Sequence, residues 1–372
     1  MQTQSETAGE EAGVRQPDRQ ALSPFLRTGP LYLAAILLAL GIATLIIALL
    51  GGSPGAVARG MIRGSFGSSR ALGLTLDGTA TRLTIALGSI VAFRAGLINI
   101  GQEGQVILGA IAATAVSLHV AGPGPLVLLL AVVVAAIAGG VWAGVGSVLL
   151  YERRIHETLS TLLLTFLSYN ILSFALNRQY LLQMGGRAGT GNLAVQSDRL
   201  PESTWFPSLE GLIGIDVQSG LLIALAMVAV VIALDRSDLG FRVRLLAHNP
   251  VTARANGVSA RRIGGGALIF SGAMIGVAGA LITNGSLHRL QDGFTNNIGW
   301  EGLLIAQAAQ KRPLIVIPVA LVWSALHTGG GFLVTTGLSR DLVDVVKGLL
   351  VIALLLPPAY EVLRGRKALS EL

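Results

Sequence analysis

Val106 to Tyr151 form a run of 46 residues that carries no formal charge. Such a run leaves no polar face for water, whereas a bilayer accepts it. Inside lipid the backbone has to satisfy its own hydrogen bonds, which favours helices. Two spans of roughly 20 residues fit in this length, and Gly122-Pro123-Gly124-Pro125 supplies the turn between them. The rest of the chain agrees. Of 372 residues 52% are hydrophobic and 13% charged, where soluble domains carry about 25% charge. The predicted fold is an all-α, polytopic membrane helical bundle. Its 48 glycines let helix backbones approach closely in lipid.

Further apolar segments lie near 31–50, 79–93, 158–176, 219–234, 264–283, 299–310, 313–328 and 342–359, which with the two above gives about ten membrane segments. The 299–310 piece is short and reads as half of a broken helix. Residues 1–27 are polar and mixed in charge, so they read as a cytoplasmic tail and not as a cleavable leader. Residues 28–360 form the membrane domain, and 361–372 a second cytoplasmic tail.

Side assignment rests on arginine. The net charge of +7 comes with only three lysines, and arginine-rich loops mark the cytoplasmic face, so the basic balance does not point to nucleic acid. Loop 235–262 carries Arg236, Arg242, Arg244, Arg254, Arg261 and Arg262 against Asp235 and Asp238, and is expected inside. Loop 177–218, with Asp198, Glu202, Glu210 and Asp216, suits the outer face. Counting from these anchors puts both termini inside. It also places 51–71, read as a loop, outside despite Arg59, Arg63 and Arg70.

Asn99-Ile100-Gly101-Gln102-Glu103-Gly104 recurs as Asn297-Ile298-Gly299-Trp300-Glu301-Gly302, with five of six residues identical and each copy opening an apolar segment. By the topology above the two segments run in opposite senses, as in the inverted repeats of transporters. Asn99 and Asn297 are suited to capping helix donors, and Glu103 and Glu301 to the first turn, where the helix dipole favours an anion. An acid at membrane depth has to be paired or solvated. The two acids therefore either line a polar path or lock a bend, and identical locks in two repeats favour the second. No pair of the five histidines has metal-ligand spacing, so neither metal nor cofactor is expected.

Asn249-Pro250 followed by Gly257 predicts a two-turn helix in the basic loop. Asn249 would cap it, Pro250 would occupy its first position, and Gly257 would close it. So short a helix needs support, from the membrane, its own bundle or a cytoplasmic subunit. The chain lacks a Gly-x-x-x-x-Gly-Lys-Ser/Thr loop, so ATP would have to be bound elsewhere, and nothing marks the chain as an enzyme.

Phe93-Arg94-Ala95-Gly96-Leu97-Ile98-Asn99-Ile100-Gly101-Gln102-Glu103-Gly104-Gln105 resembles the signature of inner-membrane permeases of ABC importers for nucleosides and simple sugars. His156 to Leu164, Phe241 to Gly257 and Asn297 to Pro313 resemble further stretches of that family. Here His156, Arg254 and the Trp300-Glu301 pair depart from its usual residues. The resemblance implies a bacterial inner-membrane location. It implies that 250–257 docks on an ATP-binding cassette ATPase subunit through Arg242, Arg244, Asn249, Pro250, Arg254 and Gly257. It also implies a second permease subunit and an extracytoplasmic substrate-binding protein or lipoprotein. On this reading the substrate path runs past Asn99, Glu103, Gln105, Asn297, Trp300 and Glu301, with Thr165, Asn170 and Asn284 beside it. A self-sufficient carrier driven by protons or sodium would share the repeats and the intramembrane acids.

Overall fold

Seven of the eight apolar segments between 79 and 328 lie within single helices to within two residues, and the 264–283 segment runs from a helix into its π-helical end. The computed structural model describes residues 53–178, 180–183 and 195–335, with scattered positions between 34 and 49 and between 345 and 353. The segments at 31–50 and 342–359 and the two tails lie largely outside the described residues. In chain order the helices are α1 (Pro54–Phe66), α2 (Ser69–Arg94), α3 (Gln102–His119), α4 (Gly124–Arg153), α5 (Glu157–Leu176), α6 (Glu210–Ile213), α7 (Gly220–Arg236), α8 (Asp238–His248), α9 (Pro250–Ala255), α10 (Ala260–Ala280), α11 (Ile298–Ala308) and α12 (Pro313–Thr335). A π-helical stretch, Leu281–Leu287, prolongs α10. No named strand occurs among the described residues.

Four helices are long and apolar enough to cross a membrane: α4, α5, α10 with its π-helical end, and α12. The pair α7 and α8, bent by 72°, would be a fifth. The remaining apolar helices owe their place to burial. In α2 the whole stretch Thr79–Ala92 is buried, so its three threonines and Arg82 face protein, not lipid. By contrast α4 exposes Leu126, Leu129, Val133, Ile137, Val141 and Val148, steps of three, four or seven that lay one apolar stripe along the helix. That stripe suits lipid or a second chain.

The 51–71 region is not a loop, as composition suggested, but contains α1. Its Pro54 start and Ser53 boundary are ordinary helix openers, and it packs mainly against α12. Arg59 and Arg63 lie on this helix and Arg70 at the start of α2, and arginines on helices seated against the bundle need not report the side of a loop.

Glycine sets the central packing. α10 lies against α4, α3 and α2. A Cβ on Gly276 would stand 2.3 Å from the Ala135 carbonyl oxygen, one on Gly272 2.3 Å from the Ala143 Cβ, and one on Gly109 2.1 Å from the Gly276 oxygen. The backbones touch, and no side chain fits between them. We expect Gly276→Leu to lower the unfolding midpoint of the detergent-solubilised protein, an overpacking loss of about 2–3 kcal/mol. Gly266→Ala, where a Cβ meets nothing within 4 Å, should leave the midpoint unchanged or raise it.

Candidate functional site

The two hexapeptides meet inside the bundle. After α2 ends at Arg94, residues 95–101 turn back into the interior before α3 starts at Gln102. Gly96, at φ +76°, makes the reversal, and a Cβ there would press on Ala247 of α8. Non-helical backbone at membrane depth survives only where protein satisfies it. Here Asn99 Oδ1 accepts from Gly101 N–H at 3.1 Å and from Gln105 Nε2 at 3.0 Å, while Asn99 Nδ2 donates to Gln105 Oε1 and Ser271 Oγ. Gln102 Nε2 donates to Ser89 Oγ at 2.7 Å, and Ile100 N–H to Thr161 Oγ1 at 3.3 Å.

From the other end, residues 288–297 lead in from the π-helical stretch to α11. His288, Asn296 and Asn297 all have positive φ. Gly299 then lies against the first turn of α3, where its N–H donates to Glu103 Oε2 at 2.7 Å. A Cβ on Gly299 would come within 2.6 Å of Glu103, so only glycine permits this approach. Tyr169 OH of α5 donates to Glu103 Oε1 at 3.3 Å. The Glu103 carboxylate, 1% exposed, thus lies in the first turn of its own helix and accepts from the first turn of another. Both dipoles favour the anion.

From this junction the helices leave in opposite directions. α3 runs beside α10, from Asn99 at Ser271 to Ser117 at Asn284. α11 runs beside α2, from Glu301 at Arg82 to Lys311 over the Phe93 ring. α10 and α2 are themselves antiparallel, because Arg94 at the end of α2 pairs with Asp235 near α8, while Asp77 near its start bonds Gln218 of the 195–219 loop.

Glu301 plays a different part from its counterpart. Its Oε2 accepts from Arg82 Nε at 2.7 Å, and Oε1 lies 3.9 Å from His327 Nδ1. Arg82 is 4% exposed and also donates to Gly78 O. Its partner lies 219 residues away in sequence, so nothing local advertises the pair. Arg82 and His327 line a cavity of about 350 Å³ between α2, the π-helical stretch, the 294–298 loop and α12.

None of the nine residues expected on the substrate path lines that cavity. Asn99 and Gln105 are occupied with each other. Thr165 bonds back to Thr161 O, and Asn170, exposed on α5, to Phe166 O. Asn284 Nδ2 donates to Ser117 Oγ and Thr204 O, tying the 195–219 loop to the bundle. Asn297 makes no side-chain cap, because it takes the left-handed conformation itself. Trp300 is half-buried. The cavity wall is carried instead by Asp77, Arg82, Asn296 and His327, residues without a motif.

The 195–219 loop is folded onto this end. Ser197 and Leu200 N–H donate to Leu290 O and His288 O. Trp205 stacks on His288, ring centroids 3.6 Å apart. Burial, and then Arg199, hold the His288 imidazole below its ordinary pKa, which suits a neutral stacked ring. Gly185, Gly186, Arg187, Gly189 and Gly191 lie outside the described residues.

At the opposite end α9 forms as its sequence predicts. Asn249 Oδ1 accepts from Thr252 N–H, Pro250 is the first helical residue, and Gly257 follows at φ +75°. Ala253 packs with Leu246 and Val258, so the support is the chain's own α8 and the start of α10. Pro250, Val251 and Arg254 stay exposed, as does Arg242. Arg244 is drawn inward, its Nη1 donating to Asp235 O at 2.8 Å.

A family model described as branched-chain amino acid transport system / permease component matches residues 74–355. The chain belongs to this permease family, and is a multi-pass membrane transport subunit. Among its relatives are the glucose ABC transporter permease protein TsgB13 of Haloferax volcanii, 31% identical over 77% of this chain and 74% of that protein, and the guanosine ABC transporter permease protein NupP of Bacillus subtilis, 26% identical over 86% and 91%. The nucleoside ABC transporter permease protein NupB of Lactococcus lactis is 24% identical over 77% and 79%. No solved structure matches.

The two acids should separate in stability measurements. Glu301→Gln leaves the Arg82 charge buried without its partner, a loss on the order of 3–5 kcal/mol. Glu103→Gln keeps an acceptor for Gly299 N–H and can donate its amide to the Tyr169 oxygen, so it loses the charge-assisted part of these bonds, about 1 kcal/mol. Replacing both members of the pair, Arg82→Met with Glu301→Met, should recover most of the first loss in the same unfolding assay.

Proposed function

We propose that this chain is the permease subunit of an ATP-driven importer that carries nucleosides or simple sugars across the bacterial inner membrane. The observation that carries the reading is its likeness, over three quarters or more of its length, to permeases named for glucose, guanosine and nucleosides. On this reading α9 docks on an ATP-binding cassette ATPase through Pro250, Val251 and Arg254, with Arg242 beside it. The 235–262 loop and both termini are then cytoplasmic, and the 177–218 loop faces a substrate-binding protein or lipoprotein. About ten spans, counting those near 31–50 and 342–359, complete the subunit, which pairs with a second, similar or identical permease. The hexapeptides mark two inverted halves, a reading supported by helices that leave one junction in opposite directions.

Coupling follows from the contacts. Movement of α9 reaches α8 through Ala253 and Leu246, and α8 reaches α2 through Asp235, which pairs with both Arg94 and Arg244. α2 carries Arg82 at the cavity. A rigid helix 26 residues long transmits a shift at its inner end to its outer half, a distance of roughly 40 Å end to end at 1.5 Å per residue.

Co-expression with the ATPase and reconstitution in liposomes tests this. Val251→Asp and Arg254→Glu, both on the exposed side of α9, should cut ATP-driven uptake of guanosine or glucose more than about tenfold while the unfolding midpoint stays put. Uptake by the chain alone under a proton or sodium gradient would overturn the reading.

A further inference from the structure

We infer that the cavity beside Arg82 is a way-station for the cargo, and that it receives an uncharged, polyhydroxylated ring. The inference rests on the importer reading above and adds the site.

Charge comes first. Arg82 is the fixed cation of the wall, and Glu301 at 2.7 Å cancels it. A carboxylate or phosphate on the cargo would have to displace Glu301 and would also meet Asp77, which lines the same cavity. A free amino acid needs a cation for its carboxylate, and the Arg82 charge is already taken up by Glu301.

Hydrogen bonding comes second. Arg82 is held rigid by Glu301 and by Gly78 O, so its fork is pre-organised. Thr81, Asn296 and His327 add donors and acceptors within the same hollow, and Phe294 adds an aromatic ring. Mixed donors and acceptors around one ring suit hydroxyl groups, each of which donates once and accepts twice. A volume of about 350 Å³ lies within the usual range for small-molecule pockets. Glu301 does not line the hollow, so it acts as a positioning residue for Arg82.

Position comes third. The cavity lies in the half of α2 that meets the outer loop, with Asp77 Oδ1 accepting from Gln218 N–H at 2.9 Å. It is thus at the end opposite α9. A larger hollow of about 870 Å³ lies between α4, α7 and the outer loop, but Leu129 and Leu222 in its wall are more than half exposed, continuing the apolar outer face.

The chain has no cysteine, so one can be introduced as a reporter without other changes. Gly331 lines the cavity, and a Cβ there meets nothing within 4 Å. In liposomes holding the Gly331→Cys chain with its ATPase and binding protein, we expect guanosine, D-glucose or both to slow maleimide labelling at least about threefold, and L-leucine to leave it unchanged. Guanosine alone would assign the ring to a nucleoside, and glucose alone to a free sugar. In parallel, Arg82→Met with Glu301→Met, which leaves no unpaired charge, should reduce uptake about tenfold in a complex that still assembles. Uptake of guanosine or glucose with unaltered labelling would overturn this site and leave the importer reading standing. Uptake of leucine alone would overturn the cargo reading and this proposal with it.

Discussion

The bundle is held at its middle by one buried carboxylate. Glu103 stands at the start of α3 and accepts the Gly299 N–H at the start of α11, so two helix N-termini share one buried acidic side chain. A carboxylate at membrane depth is costly when unpaired. Here the cost is offset by two helix dipoles, the Tyr169 hydroxyl and the close approach that Gly299 allows. Remove that contact and two stretches of non-helical backbone, 95–101 and 288–297, lose the point on which both converge.

The junction also accounts for the different fates of the two acids. Repetition of the hexapeptide suggested equivalent roles, but the copies sit in unequal settings. In the first, Asn99 does not cap the helix but is fully engaged with Gly101 N–H, Gln105 and Ser271, and the helix begins three residues later. In the second, Asn297 adopts the left-handed conformation and the helix begins at once. Glu301 consequently falls later in its helix and turns to Arg82. One acid joins the starts of α3 and α11, while the other fixes the cation of the cavity wall.

Much of this was legible in the sequence because it depends on local chemistry. Apolar length marked the helices, Gly122 to Pro125 the turn between α3 and α4, Asn249-Pro250 the short α9, and the repeated hexapeptide the pair of helix starts. The cavity was not legible. Its residues come from four separate stretches with no shared motif, and the pairing of Arg82 with Glu301 spans 219 positions. Of the polar residues singled out within spans, Asn99, Gln105 and Asn284 bond to the protein's own backbone and to polar side chains. The helix at 54–66 was missed because its arginines read as a loop, whereas its apolar side packs on α12.

Hydrogen–deuterium exchange at the Gly299 amide, followed on peptides covering 296–303 in the detergent-solubilised chain, examines the junction itself. A carboxylate-held, buried amide should exchange among the slowest in the protein and speed up markedly in Glu103→Ala. Rapid exchange at Gly299 in the unaltered chain would mean that the two helix starts are not joined, and the account built on their meeting would be wrong.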